Sequence, residues 1–228
     1  MILLEHLPRI VTAIGGLGTA AFGLVDSTKT FWGGVNRIGF KRIKTTVTDL
    51  TPGAAATGLT QDKIVDTLRA NWYNGTDLNS QKSIAKSLIK QGLNAGNATK
   101  IATATGVDPD TLLAVAKKMS TGTALAQNES DVYARFDFIL TALLDETYQR
   151  ADQAYRNGTR FWASVFAVAL AFIGGWTLNN GPFGAYWLSN DMWIALVAGV
   201  LATPLAPIAK DVSSALATAV NTMQAIKK

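Results

Sequence analysis

Cysteine is absent from this chain, and histidine occurs once, as His6. The first absence excludes disulfides, zinc–thiolate sites, iron–sulfur clusters and cysteine nucleophiles built from this chain alone. The second leaves any Ser-His-Asp triad or multi-histidine metal site dependent on a single residue near the N-terminus. No clustered acid pair stands elsewhere, so an enzyme is not expected, and neither a cofactor nor a metal centre is called for. Charge is also scarce. Charged residues make up 16% of the chain and hydrophobic ones 48%, whereas ordinary soluble domains are about one quarter charged. Much of the surface should therefore face something other than water. The net charge of +5 is too small to imply nucleic acid by itself, and no nucleic-acid partner is expected.

Charge is missing altogether from three stretches. Residues 161–178, after Arg160, form an uncharged run of eighteen, which as a helix rises about 27 Å, close to the hydrocarbon thickness of a bilayer. Residues 10–25, between Arg9 and Asp26, form a run of sixteen, about 24 Å as a helix and short enough for a tilted interfacial pose to compete with a span. A secretory signal also competes there. Glu5 in the preceding segment and the lack of a small-x-small cleavage site favour a retained helix. Residues 192–209 make the third run, with Pro204 and Pro207 freeing the carbonyls of Val200 and Thr203. Intramembrane ionisable residues, the usual mark of a transport path, are lacking in all three.

Each run carries rows of small residues, the pattern that lets helix backbones approach closely in lipid. The rows are Gly15, Thr19 and Gly23 in the first; Ala163, Ala167, Ala171 and Gly175 in the second; and Ala195, Gly199 and Thr203 in the third, with Ala198, Ala202 and Ala206 on its next face. Trp32, Trp162, Trp176, Trp187 and Trp193 sit at the ends of the runs, as an interfacial aromatic belt requires. Arg37, Lys41, Arg42 and Lys44 follow the first run and suit anionic lipid headgroups.

Between the first two runs the pattern changes to that of a soluble helical piece. Residues 45–58, rich in Thr, Gly and Ala, read as a linker. Helices are expected over 60–72, 82–91, 98–105 and 109–119, the second capped by Asn79 or Ser80 and the last by Asp108 with Pro109 at its first position. A long helix then runs over 132–178, carrying acid-first i,i+4 pairs Glu146–Arg150 and Asp152–Arg156, with Asn157-Gly158 as its weak point. The tail, 210–228, reads as an amphipathic helix.

Two motif look-alikes fall short of their chemistry. Gly16-x-Gly18-x-x-Ala21 matches a loose dinucleotide-binding fingerprint, but the stretch where the ribose-binding acid belongs holds Arg37, Lys41 and Arg42 instead. Residues 100–119 have helix–turn–helix spacing, but the leading positions of the second helix hold Asp108 and Asp110, which a polyanion repels.

The expected fold is an all-α integral membrane protein with three transmembrane helices. A small cytoplasmic helical domain is inserted between helices 1 and 2, and a long helix runs from that domain into helix 2. The expected division is 1–44, membrane helix and basic juxtamembrane segment; 45–127, helical domain; and 128–228, long helix, two further membrane helices and tail. Basic residues flank the helical domain and are missing from 179–191, so the positive-inside rule places the N-terminus outside and the domain and C-terminus in the cytoplasm of a bacterial-type inner membrane. The function expected is a membrane anchor or scaffold that self-associates or joins another membrane protein. The alternative is an oligomeric channel or membrane-permeabilising protein.

Overall fold

The structure is a computed structural model that describes residues 2–53, 59–179 and 181–206, with side chains from residue 10 onward. The side chains of His6 and Arg9, and residues 207–228 with Pro207 and the expected tail helix, lie outside the described residues. Every regular element among the described residues is a helix: α1 (Ile2–Trp32), α2 (Asn36–Leu50), α3 (Gln61–Tyr73), α4 (Leu78–Gly92), α5 (Ala98–Thr105), α6 (Pro109–Thr121), α7 (Gln127–Asn179), α8 (Phe183–Trp187) and α9 (Asn190–Ala206). The protein is all-α. Gly16-x-Gly18-x-x-Ala21 lies inside α1 with no strand before it, so the nucleotide fingerprint has no structural basis.

The chain forms two compact units, Asn36–Tyr155 and the pair of segments Met1–Val35 and Arg156–Lys228. α7 serves both. It passes through Asn157-Gly158 as unbroken helix, since one glycine costs roughly 1 kcal/mol relative to alanine and neighbouring turns outweigh that. At its start Glu129 accepts from the Ala126 N–H at 2.7 Å and from Lys118 at 2.7 Å. This is the helix-capping use of an acid in a first turn.

Within Asn36–Tyr155 the helix starts follow local chemistry. Thr60 accepts from the Lys63 N–H and Asp108 from the Thr111 N–H, each satisfying a donor that the first helical turn leaves free. The start of α4 differs from expectation: Asp77, not Asn79 or Ser80, caps it by accepting from the Ser80 N–H at 3.0 Å. The carboxylate also suits the positive end of the helix dipole. α5 and α6 stop at Gly106 and Gly122, whose φ values of 67° and 70° lie in the left-handed region glycine adopts without strain.

The larger correction is α2. The stretch from Thr45, read as linker, continues as helix to Leu50, and the whole helix belongs to the helical unit. Phe40, Ile43, Val47 and Leu50 repeat at helical spacing and enter one core with Leu68 and Trp72 of α3, Ile89 of α4, Ile101 of α5 and Leu112 of α6. The first half of α7 adds Phe136, Leu140, Leu144 and Tyr148. α2 approaches α7 closely at Gly39, where a Cβ would stand 2.8 Å from the Ala151 carbonyl oxygen and 2.5 Å from the Trp72 ring. Trp72 Nε1 donates to the Asn36 carbonyl at 3.0 Å, so the largest ring in this core keeps its polar atom satisfied.

α4 and α7 are joined by charge. Lys82, Lys86 and Lys90 form one i,i+4 row on α4. Lys82 reaches Asp145 at 2.6 Å, while Lys86 and Lys90 both reach Asp137, at 2.6 and 2.8 Å. The reversed order marks an antiparallel crossing. Burial alone would push the Asp137 carboxyl up, but the Lys86 and Lys90 ammoniums outweigh it and hold it below the usual carboxylate range. Its hydrogen bond to Asp137 in turn raises Lys90.

A carboxylate depressed in the folded state contributes stability above its unfolded pKa, near 4, and loses that contribution as pH falls through the folded value. Asp137→Asn should therefore cost about 1–2 kcal/mol at neutral pH. The difference from wild type should shrink in acid, read by denaturant unfolding of the full chain in detergent across a pH series. A deficit independent of pH would remove the ion pairs as its cause.

Candidate functional site

In the unit formed by α1, the second half of α7, α8 and α9, small residues line the seams between helices, and Tyr186 of α8 is that unit's one fully buried aromatic ring among the described residues. Ala163 and Ala167 of α7 are fully buried, and Ala171 and Gly175 are partly so. On α9 the buried positions are Met192, Ala195, Gly199, Ala202 and Ala206. Their alternating steps of three and four residues keep one helical face turned inward. Gly199 lies on the α7 backbone, where a Cβ would meet the Val168 Cα at 2.6 Å and the Ala167 carbonyl oxygen at 3.1 Å. The structure thus brings the α7 row and Gly199 together. A Cβ on Gly175 would meet the Ala195 Cβ at 3.1 Å. Beside this seam the Ser164 and Thr203 hydroxyls hydrogen-bond at 3.2 Å, giving Thr203 a partner on another helix.

α1 joins through a different row from the one its spacing suggested. Gly15 is buried, but Thr19 and Gly23 are exposed. The Thr19 hydroxyl donates to the Gly15 carbonyl at 3.0 Å, and Gly23 has nothing within 4 Å of an added Cβ. The close approach is at Gly18, where a Cβ would meet the Ala202 carbonyl carbon at 2.7 Å and the Ala206 Cβ at 2.9 Å. Ala21 and Val25 are fully buried on the same side. Gly18 and Ala21 stood in the sequence as members of the false nucleotide fingerprint; their value is the space they leave.

Bulk lies on the outside. Trp32, Trp162, Trp176, Trp187 and Trp193 are all exposed, Trp32 by 72%. Apart from Ile38, Met119 and Phe138, every exposed large apolar side chain belongs to this unit. Of the most apolar window of α7 only 11% is buried. α1 and α7 are each long and apolar enough to cross a membrane by length and composition. Around α8, Phe172 meets Tyr186 at 5.3 Å and Trp187 at 5.6 Å between ring centroids, both edge-on. An apolar groove of about 640 Å³ between α7 and α9 is lined by Val165, Phe172, Ile173, Trp187 and Trp193.

The second feature is the outer face of α2. Arg37, Lys41, Arg42 and Lys44 are exposed, and none forms an ion pair among the described residues. The α4 lysines, by contrast, are each matched to an aspartate. α2 thus carries four cations without ion pairs on one helix, while Lys63, Lys100, Lys117 and Arg135, also without ion pairs among the described residues, are spread over α3, α5, α6 and α7. No group of three or more His, Asp or Glu side chains among the described residues could hold a metal. What the arrangement offers is a packed apolar body and a cationic face.

Gly199→Leu should force α9 away from α7 at a cost of roughly 1–3 kcal/mol or more, lowering the melting temperature of the purified chain in detergent. Gly23→Leu should leave it unchanged, because the added side chain meets open space. If instead Gly23→Leu removes a larger species on native gels while the monomer keeps its stability, the exposed row joins neighbouring chains. Equal melting for both variants would remove the seam as a source of stability.

Compared with family models, curated proteins and solved structures, the chain matches none.

Proposed function

We propose that this chain is an integral membrane anchor or scaffold. In this reading α1, the apolar half of α7 and α9 lie in the bilayer, and the helical unit is an interaction domain on the cytoplasmic side of a bacterial-type inner membrane. The observation that carries it is the inverted distribution of bulk in the apolar unit: mostly alanine and glycine inside, with Tyr186 as the buried exception, and tryptophan, phenylalanine and isoleucine outside. In water such an arrangement exposes large apolar patches and buries little hydrocarbon. In lipid the outward side chains are solvated, and helices associate by close packing of small residues.

Orientation rests on charge. Lys and Arg flank the helical unit in the sequence, whereas the connection between α7 and α9 has no base, the nearest charge being Asp191 in the first turn of α9. The helical unit reads as the working part, because its surface carries varied polar chemistry and an unmatched cationic face. A scaffold acting through its own copies or another membrane protein fits both units.

The absence of native cysteine makes the test clean. The full chain expressed in bacteria should stay with membranes after an alkaline carbonate wash. In intact cells Asn190→Cys should react with a membrane-impermeant maleimide, and Lys100→Cys should react only after lysis. Recovery in the carbonate supernatant would overturn the membrane reading; reversed labelling would invert the topology.

A further inference from the structure

We propose that the groove between α2 and α7 binds a single phosphate-bearing anion, supplied in a membrane by the headgroup of an acidic phospholipid. This rests on the membrane reading and narrows it from a diffuse basic face to one site. The groove encloses about 480 Å³ and is lined by Ile38, Lys41, Arg42, Thr45 and Thr46 of α2 with Ala154 of α7. That volume lies within the range of small-ligand sites, about 300–1,000 Å³, and exceeds a bare phosphate, leaving room for a glycerol group against Ile38 and Ala154.

The chemistry of the lining selects the ligand. The Thr45 hydroxyl donates to the Lys41 carbonyl at 3.0 Å, and the Thr46 hydroxyl shares a hydrogen bond with Thr147 at 3.0 Å. Both hydroxyls are engaged by the fold. The charged donors left to a ligand are the Lys41 ammonium and the Arg42 guanidinium, neither ion-paired among the described residues. A planar guanidinium beside an ammonium matches phosphate oxygens, the first by a two-pronged hydrogen bond and the second as a point charge. Asp49, the one acid of α2, comes four residues after Thr45 and forms no ion pair with either cation among the described residues. Arg37 and Lys44 share the exposed surface of α2 but do not line the groove. Only three residues separate the end of α1 at Trp32 from the start of α2, so in the chain the groove follows directly on an interfacial tryptophan.

Arg37 and Lys44 make the experiment decisive, because removing them changes net charge as much as removing Lys41 and Arg42. The full chain in detergent is presented with phosphatidylglycerol or phosphatidylcholine, and retained lipid is read by native mass spectrometry. Wild type should keep phosphatidylglycerol preferentially. K41A/R42A should weaken that retention by roughly twenty-five-fold, since each cation facing a phosphate is worth roughly a factor of five, and R37A/K44A, whose cations do not face it, by no more than about threefold. K41Q/R42Q, which keeps side-chain stems over the helix, should repeat the larger loss, and unchanged melting verifies each fold. Equal losses from both pairs, or no preference for the acidic lipid, would overturn the groove while leaving the membrane reading intact. That reading fails separately, in the carbonate wash. Inorganic phosphate is the competing source. If it binds wild type without lipid and displaces phosphatidylglycerol, the site is a phosphate site and the lipid assignment falls.

Discussion

The apolar unit depends on how near its helix backbones come to one another. At Gly199 the α9 backbone rests on Ala167 and Val168, and at Gly18 the α1 backbone rests on Ala202. A Cβ at either point would collide with main chain, which cannot rotate aside. That intimacy dictates the rest. Along these seams there is no room for large side chains, and Phe161, Ile173, Trp193 and Val197 are turned outward, whereas Tyr186 and Met192 are buried away from the closest backbone approaches. The outward apolar coat and the small-residue seam are one constraint seen from two sides. Close approach of backbones brings dispersion contacts that bulky side chains would prevent.

α7 obeys both rules along its length. Its first half buries Phe136, Leu140, Leu144 and Tyr148, large side chains in a core shared with five other helices. Its second half buries Ala163 and Ala167 and turns its bulk away. The helix itself is continuous, so the change lies entirely in which side chains are large. In the helical unit polar pairing follows the same economy of position. The lysines of α4 meet aspartates of α7, while the four cations of α2 have no such partners among the described residues.

Much of this was legible in the order of residues. Caps and glycine stops placed α5 and α6 within a residue or two, because those signals act through bonds only three or four residues long. The α7 helix and its alanine row were readable for the same reason. α2 was not. Thr45, Thr46 and Thr48 dilute its apolar repeat, and only the core residues of α3 and α7 disclose that Val47 and Leu50 face inward. In α1 the choice between Gly15–Thr19–Gly23 and Gly18–Ala21 could not be made from spacing, since any glycine-rich helix contains several such rows. The partner picks one, and that partner, α9, lies far along the chain. The Lys86–Asp137 pair is hidden likewise, its members separated by 51 positions.

The seam of alanine and glycine also governs how freely the apolar unit comes together. These residues have no rotamers to freeze, whereas ordering a buried Met or Leu side chain forfeits about 0.5–2 kcal/mol of conformational entropy. Docking α9 through Ala195, Gly199 and Ala202 therefore restricts almost no side-chain motion, and the exposed tryptophans outside keep theirs. Association of these helices is limited by shape rather than by loss of freedom, so a small gain in backbone contact is enough to hold them.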